Sequence, residues 1–328
     1  MKIEIIILIT CVAVLFLALS ALAISYVCYR ITFMRKTWGP IDPHDGLDSK
    51  GIKPYRDEAI RLISELSGIP CEEIRIKSRD GLALYGRYYK GDEGAPLEIQ
   101  MHGYRSSPIR DFSGGTLASL KKGRNLLVVD QRAHGHSEGK TITFGIKERY
   151  DCLDWINYAT ERFGKDISII IVGLSMGAAT VLMAGGLPLP DSVACIVADC
   201  PYSSPREIIM RVAHHLGYPP RLAFPFIRLG GILFGGFDAT AASPLLAAPE
   251  IKVPTVLIHG EADDFVPSAM SEKIYESLGT EKRRLVTFAG AGHGVSFLSD
   301  NEKYKRTVDP FVEEALRIHK NKNHGDTL

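Results

Sequence analysis

The chain is expected to be an α/β protein with a mostly parallel central sheet and helices on both faces. Three features carry that expectation. Six short, largely apolar runs, 97–101, 126–129, 167–172, 193–198, 255–258 and 285–288, have the unbroken hydrophobicity of strands covered on both sides. Helical patterns separate most of them, over 146–163, 176–184, 268–278 and about 302–319, and strand–helix alternation produces parallel sheets. The run Ile171-Val172-Gly173-Leu174-Ser175-Met176-Gly177 then turns one strand straight into a helix around a serine set between two glycines.

Taken in order, the elements begin with a segment unlike the rest. Between Glu4 and Arg30 no charged residue occurs, a stretch longer than the ~20 apolar residues that cross a bilayer as a helix. A single-pass anchor over residues 1–37 is the expectation. Two other readings stand beside it: a cleaved signal peptide, favoured by Ala21-Leu22-Ala23, and a buried core helix. Apolar residues continue past Ala23 to Cys28, which favours the uncleaved anchor. Arg30, Arg35 and Lys36 follow it and Lys2 precedes it, so the positive-inside bias leans by about one charge towards a cytoplasmic body, and the side of the membrane stays open. If the helix merely tethers, a chain starting near Trp38 should keep its activity.

Residues 38–70 form a linker and lead-in, rich in Asp, Gly and Pro until Ala59, Ile60, Leu62, Ile63 and Leu66 mark a short amphipathic helix stopped by Gly68 and Pro70. Two alternating runs, 73–77 and 82–89, flank Ser78-Arg79-Asp80-Gly81 and read as an antiparallel hairpin. The parallel body is expected over 71–200 and 251–328. Between its two parts, residues 201–250 are too long for a plain crossover and carry apolar helical patterns over 208–216 and 222–233, as an inserted cap would. Phe224, Phe226, Ile232 and Phe234 of that insertion either line an acyl pocket or pack the cap itself.

Composition narrows the chemistry. The 328 residues carry a formal charge of +1 with no basic cluster in the body, which leaves no footprint for nucleic acid. Six scattered cysteines make neither a disulfide scaffold nor a metal-site spacing, and adjacent His214 and His215 face different directions on a helix.

Polar residues at the carboxyl ends of parallel strands face a common crevice. Ser175 stands at one such end on a sharp turn that lifts its hydroxyl clear, with Gly173 and Gly177 where a Cβ would collide with neighbouring backbone. After 255–258 comes His259-Gly260-Glu261-Ala262-Asp263-Asp264-Phe265-Val266-Pro267, and after 285–288 comes Ala289-Gly290-Ala291-Gly292-His293-Gly294. Ser175, Asp263 and His293 thus follow one another in the order serine, acid, histidine. Asp264 and Asp199 are rivals for the acid, Asp199 being the better suited to hold the cap entry through local backbone bonds.

With His102-Gly103-Tyr104 and Asp130-Gln131-Arg132-Ala133-His134-Gly135-His136-Ser137, these motifs make the chain resemble the α/β hydrolase superfamily. Within it the likeness is to the serine esterase, monoglyceride lipase and serine aminopeptidase branch, from Cys71 to the C-terminal helix. Ala133 departs from the glycine that many of that branch carry. The resemblance implies Ser175 as nucleophile, His293 as general base, Asp263 as orienting acid, and the backbone N–H groups of Tyr104 and Met176 as oxyanion donors. His102, His134 and His136 would shape the site. Neither metal nor organic cofactor is implied. The expected substrate is a small, apolar acyl compound cleaved at a carboxylic ester, with amide hydrolysis or acyl transfer sharing the same acyl-enzyme and a non-catalytic binding protein as the reading from another class. Oligomeric state has no signature in the chain.

Overall fold

The computed structural model describes residues 2–37, 39–49 and 51–324. Trp38 and Lys50 of the expected linker, Met1, and the last four residues of the expected body segment lie outside the described residues. Among the described residues the strands are β1 (Glu72–Lys77), β2 (Ala83–Tyr89), β3 (Leu97–Met101), β4 (Asn125–Asp130), β5 (Ile169–Leu174), β6 (Val193–Asp199), β7 (Thr255–Gly260) and β8 (Arg283–Phe288). They form one sheet in the order β1-β2-β4-β3-β5-β6-β7-β8. The β1–β2 hairpin is antiparallel, β2 also runs antiparallel to β4, and every later pair is parallel. The chain therefore opens antiparallel and then settles into the expected rhythm.

Helices cover both faces. They are α1 (Lys2–Thr32), α2 (Arg56–Ser67), α3 (Pro108–Leu120), α4 (Glu148–Phe163), α5 (Met176–Gly185), α6 (Pro205–His215), α7 (Pro220–Gly235), α8 (Pro244–Ala247), α9 (Ala269–Ser277), α10 (Ser296–Ser299) and α11 (Asn301–His324). On one face Trp155 and Ile156 of α4 and Val181 and Leu182 of α5 bury Ile99, Leu127, Ile171 and Ile196. On the other, Val308, Phe311 and Val312 of α11 bury Ile170, Val197, Val256 and Ile258. Each such side chain contributes about 1.5–3 kcal/mol on burial, so two-sided coverage is what the apolar strands require.

Helix α3 had no clear signal in the chain, because Gly114-Gly115 lowers helix propensity in its middle. Packing explains the first glycine. A Cβ on Gly114 would meet the Phe297 ring at 2.5 Å, and Leu62 of α2 stands on the same side at 3.3 Å.

α6, α7 and α8 are inserted between β6 and β7, above the carboxyl ends of the strands. Ser204 caps α6, accepting from the Glu207 N–H at 3.1 Å, and Gly236 ends α7 in the left-handed region at φ 65°. Phe224 and Ile227 of α7 face inward, into a cluster with Met176, Tyr202 and Phe237, whereas Ile232 and Phe234 are exposed.

α1 is long and apolar enough to cross a membrane, a description that an anchor and a signal sequence share. Its C-terminal end is built into the body. Phe33 is fully buried, with its ring 4.9 Å from that of Phe237 and 5.7 Å from that of Phe144, and the Tyr29 hydroxyl meets Thr141 Oγ1 at 2.8 Å. Met34 bridges Thr141, and the buried Arg35 guanidinium donates to the carbonyls of Ser137 and Gly135. A tether would need none of these contacts.

Candidate active site

Parallel register brings four strand ends together. Met101 pairs with Gly173, Leu174 with Asp199, and Asp199 with Ile258, so residues that follow β3, β5, β6 and β7 share one rim. Ser175 stands there at φ 54°, ψ −113°, a conformation L-residues rarely adopt, and its N–H is tied to the Asp199 carbonyl at 2.8 Å. Both flanking glycines are obligatory. A Cβ on Gly173 would lie 2.3 Å from the Gly177 carbonyl oxygen, and one on Gly177 would lie 1.7 Å from that of Met101. Backbone that close holds the turn, and Met176, the first residue of α5, has an N–H with no carbonyl to meet in its own helix.

Three side chains named from the sequence meet at this point. Ser175 Oγ lies 2.9 Å from His293 Nε2, and His293 Nδ1 lies 2.7 Å from Asp263 Oδ2. The carboxylate can only accept, so Nδ1 carries the proton and Nε2 is the acceptor for the serine hydroxyl. Asp263 is buried, and burial alone would raise its pKa. Hydrogen bonds from His259 and His293, with the Val266 N–H at 2.8 Å, hold it well below the usual carboxylate range. Its other oxygen also takes the Phe265 N–H at 3.0 Å.

The rival acids are placed elsewhere. Asp264 is exposed, and its carbonyl is held by Arg211 of α6 at 2.8 Å. Asp199 is buried, but its carboxylate takes the Ser296 hydroxyl at 3.3 Å from α10. This corrects the expectation of local backbone bonds at the cap entry: it is the carbonyl of Asp199, receiving the Ser175 N–H, that holds backbone here.

The loop carrying Tyr104 leans over the serine. A Cβ on Gly103 would sit 3.7 Å from Ser175 Cβ. The amides on either side of Tyr104 are tied down: Gly103 N–H donates to Asp111 Oδ2 at 2.7 Å and Arg105 N–H to His134 Nε2 at 3.0 Å. His102 accepts the Gln131 N–H at 3.0 Å. Burial lowers the pKa of both His102 and His134, so they remain neutral and able to accept. The Tyr104 hydroxyl donates to the Thr32 carbonyl at 2.7 Å, and Arg105 reaches the carbonyls of Ile31 and Met34, so the end of α1 also holds this loop.

Several residues of the site carried no signal of their own. Asp111 is one. His259 was legible as part of its motif but not in its role: fully buried, it meets the Val266 carbonyl at 2.7 Å and Ser271 Oγ at 2.6 Å, and so fixes the loop that bears Asp263. Cys200 Sγ, 3.9 Å from His293 Nε2, was legible only as a buried thiol, and burial pushes its pKa up. Cys200, Asp263 and His293 offer ligand atoms within 4.8 Å of one another, but Asp263 and His293 already bond each other across the atoms a metal would claim. Ala133 is held at φ 61°, a left-handed conformation costing about 1 kcal/mol for an L-residue and nothing for glycine.

A model of the alpha/beta hydrolase family matches residues 101–307, which hold the whole of this rim. The chain belongs to that family. It is similar to the uncharacterized protein YqkD of Bacillus subtilis, 31% identical over 240 residues covering 70% of this chain and 77% of YqkD. Among solved structures this hydrolase is similar to the esterase Pf2001 of Pyrococcus furiosus, at 25% identity and a TM-score of 0.62, over 76% of this chain and 94% of that one. Est1E of Butyrivibrio proteoclasticus, solved with ferulic acid bound, shares the fold at 20% identity and a TM-score of 0.56, over 74% of this chain and 98% of its own.

Proposed function

We propose that this alpha/beta hydrolase is a membrane-anchored serine hydrolase that cleaves carboxylic esters with apolar acyl groups. The observation that carries the reading is the unbroken chain from Ser175 Oγ through both nitrogens of His293 to Asp263, built on a strained serine. A serine hydroxyl is a weak nucleophile at neutral pH. His293 Nε2 takes its proton as Oγ bonds to the acyl carbon, Asp263 steadies the imidazolium, and the N–H groups of Met176 and Tyr104 receive the developing oxyanion. His293 then returns the proton to the leaving alkoxide, leaving an acyl-serine. A water molecule, deprotonated by the same nitrogen, attacks that ester and releases the acid.

Similarity to an esterase at 25% identity supports the ester among the acyl compounds such a site can attack. Phe224 and Ile227 packed beside Met176 support an apolar acyl group. Incubation with a fluorophosphonate probe should place one phosphonyl group on Ser175, located by peptide mass spectrometry. A folded sample that stays unlabelled removes the proposal.

A further inference from the structure

α7 is apolar on both faces, an arrangement that a helix lying between protein and water avoids. Inward, Phe224, Ile227, Gly230 and Gly231 are buried. Outward, Leu222, Leu229, Ile232, Leu233 and Phe234 are exposed, Leu222 to 69% and Leu233 to 53%. The helix contains two charged residues, Arg221 and Arg228, and no acid; Arg228 is engaged by Asp238 at 2.6 and 2.9 Å. A contiguous apolar stripe of this kind marks a surface that something covers.

α1 indicates what covers it. A Cβ on Gly230 would lie 2.3 Å from the Ser25 carbonyl oxygen, so the two helices touch at their backbones. The Phe234 ring stands edge-on to Tyr26 at 5.0 Å and lies 6.0 Å from Tyr29. At ~1.5 Å per residue, the ~30 Å hydrocarbon layer uses up about twenty residues of α1. The turns that hold α7 therefore come where α1 leaves that layer. Arg30 and Lys36 at this end of α1 and Arg221 at the start of α7 are exposed, and cations at that depth suit anionic headgroups.

We propose that the outer face of α7 lies in the interfacial layer of the bilayer that α1 crosses, so that two elements seat the protein on the membrane. The inner face of the same helix shares an apolar cluster with Met176 and Tyr104 beside the serine. The cap is thus the partition between leaflet and site, and the substrate class is an amphiphilic ester resident in that leaflet. This second step rests on the ester-cleaving reading; the seating does not.

Seating is tested without catalysis, using the full chain in nanodiscs of phosphatidylcholine and phosphatidylglycerol with brominated acyl chains. Leu229→Trp and Leu233→Trp should each add emission that bromine quenches at least twofold more than it quenches the two native tryptophans. Emission no more quenched than the native background overturns the seating, and so does protection by a second copy, seen as a cross-linked dimer. For the substrate, a Leu222→Glu, Leu229→Glu, Leu233→Glu triple variant should lose tenfold or more in kcat/KM on a long-chain monoacyl ester embedded in vesicles, while a soluble nitrophenyl acetate is cleaved within twofold of the unsubstituted rate. Equal losses on both esters, or none on either, overturn delivery from the leaflet. If the unsubstituted chain cleaves neither ester, the ester reading has failed, and the quenching still decides the seating.

Discussion

Asp199 and Asp263 end neighbouring parallel strands or the loops just beyond them, both buried and both near the same histidines, yet their pKa values are pushed in opposite directions. Asp263 receives two backbone N–H groups and two imidazoles and stays ionised far below the ordinary range. Asp199 has one hydroxyl at 3.3 Å, and burial raises its pKa to about 6. Depth does not separate them; the number of donors aimed at each carboxylate does. A loop that curls back on itself, as 263–266 does, supplies donors that a strand end lacks, and the carboxylate so furnished stays ionised well below neutral pH beside the imidazole it bonds.

The comparison breaks first if Asp263 is removed without effect. Asp263→Asn should lower kcat on a soluble ester by about 10⁴-fold with little change in KM, since the amide favours the wrong imidazole tautomer. Steady-state kinetics check this, and a fall below tenfold would pass the role to Asp199.

A second disturbance spares both carboxylates. Removal of residues 2–37 takes away the Thr32, Ile31 and Met34 carbonyls that hold Tyr104 and Arg105. Loss of one oxyanion donor is worth roughly 10²–10³ in rate, so a tenfold to hundredfold fall in kcat is expected from a loosened loop. Full activity in a folded chain starting at residue 38 would restore α1 to a plain tether.

Asp199→Asn should leave kcat within tenfold and act on stability instead. Because the folded pKa lies above the unfolded value of about 3.9, ionisation opposes folding: the favourable share is complete below 3.9 and is lost as pH rises through about 6. Replacement by Asn should therefore stabilise the protein by about 2–3 kcal/mol at pH 8 and by almost nothing near pH 4, read from urea unfolding at both values. Asp263 has the opposite sign. Its pKa is depressed, so its share is present above 3.9 and drains as pH falls below it, and the Asn variant at 263 should lose most stability at neutral pH. Ser296→Ala, which deletes the lone hydroxyl on Asp199, should cost the least, about 0.5–1 kcal/mol at pH 8.

The parts of the molecule that were legible in the chain are those whose reasons are local. Strand β3 and the elbow could be read because apolar runs and glycine at a close approach are written in adjacent residues. Asp263 was preferred to Asp264 through the resemblance to the hydrolase branch, whose pattern its offset from His259-Gly260 and Val266-Pro267 matches. What could not be read depends on partners far along the chain. Ser296 reaches Asp199 across 97 positions, and Gly114, which lowers helix propensity in α3, is there to make room for the Phe297 ring. The same holds for Arg35, whose burial is intelligible only once the carbonyls of Ser137 and Gly135 are beside it. The apolar character of α7 is plain in the chain, but which of its phenylalanines turn inward is set by α1, α6 and the cluster around Met176 and Tyr202.

The contact of Gly230 with Ser25 joins segments about two hundred residues apart. On the proposed anchoring, a chain made from its N-terminus commits α1 to the bilayer before α7 exists, so the cap helix must find a partner already in place. Folding order is then part of the design. The loop over the serine and the helix above it would then be completed last, against a stem that the proposed anchoring has already fixed.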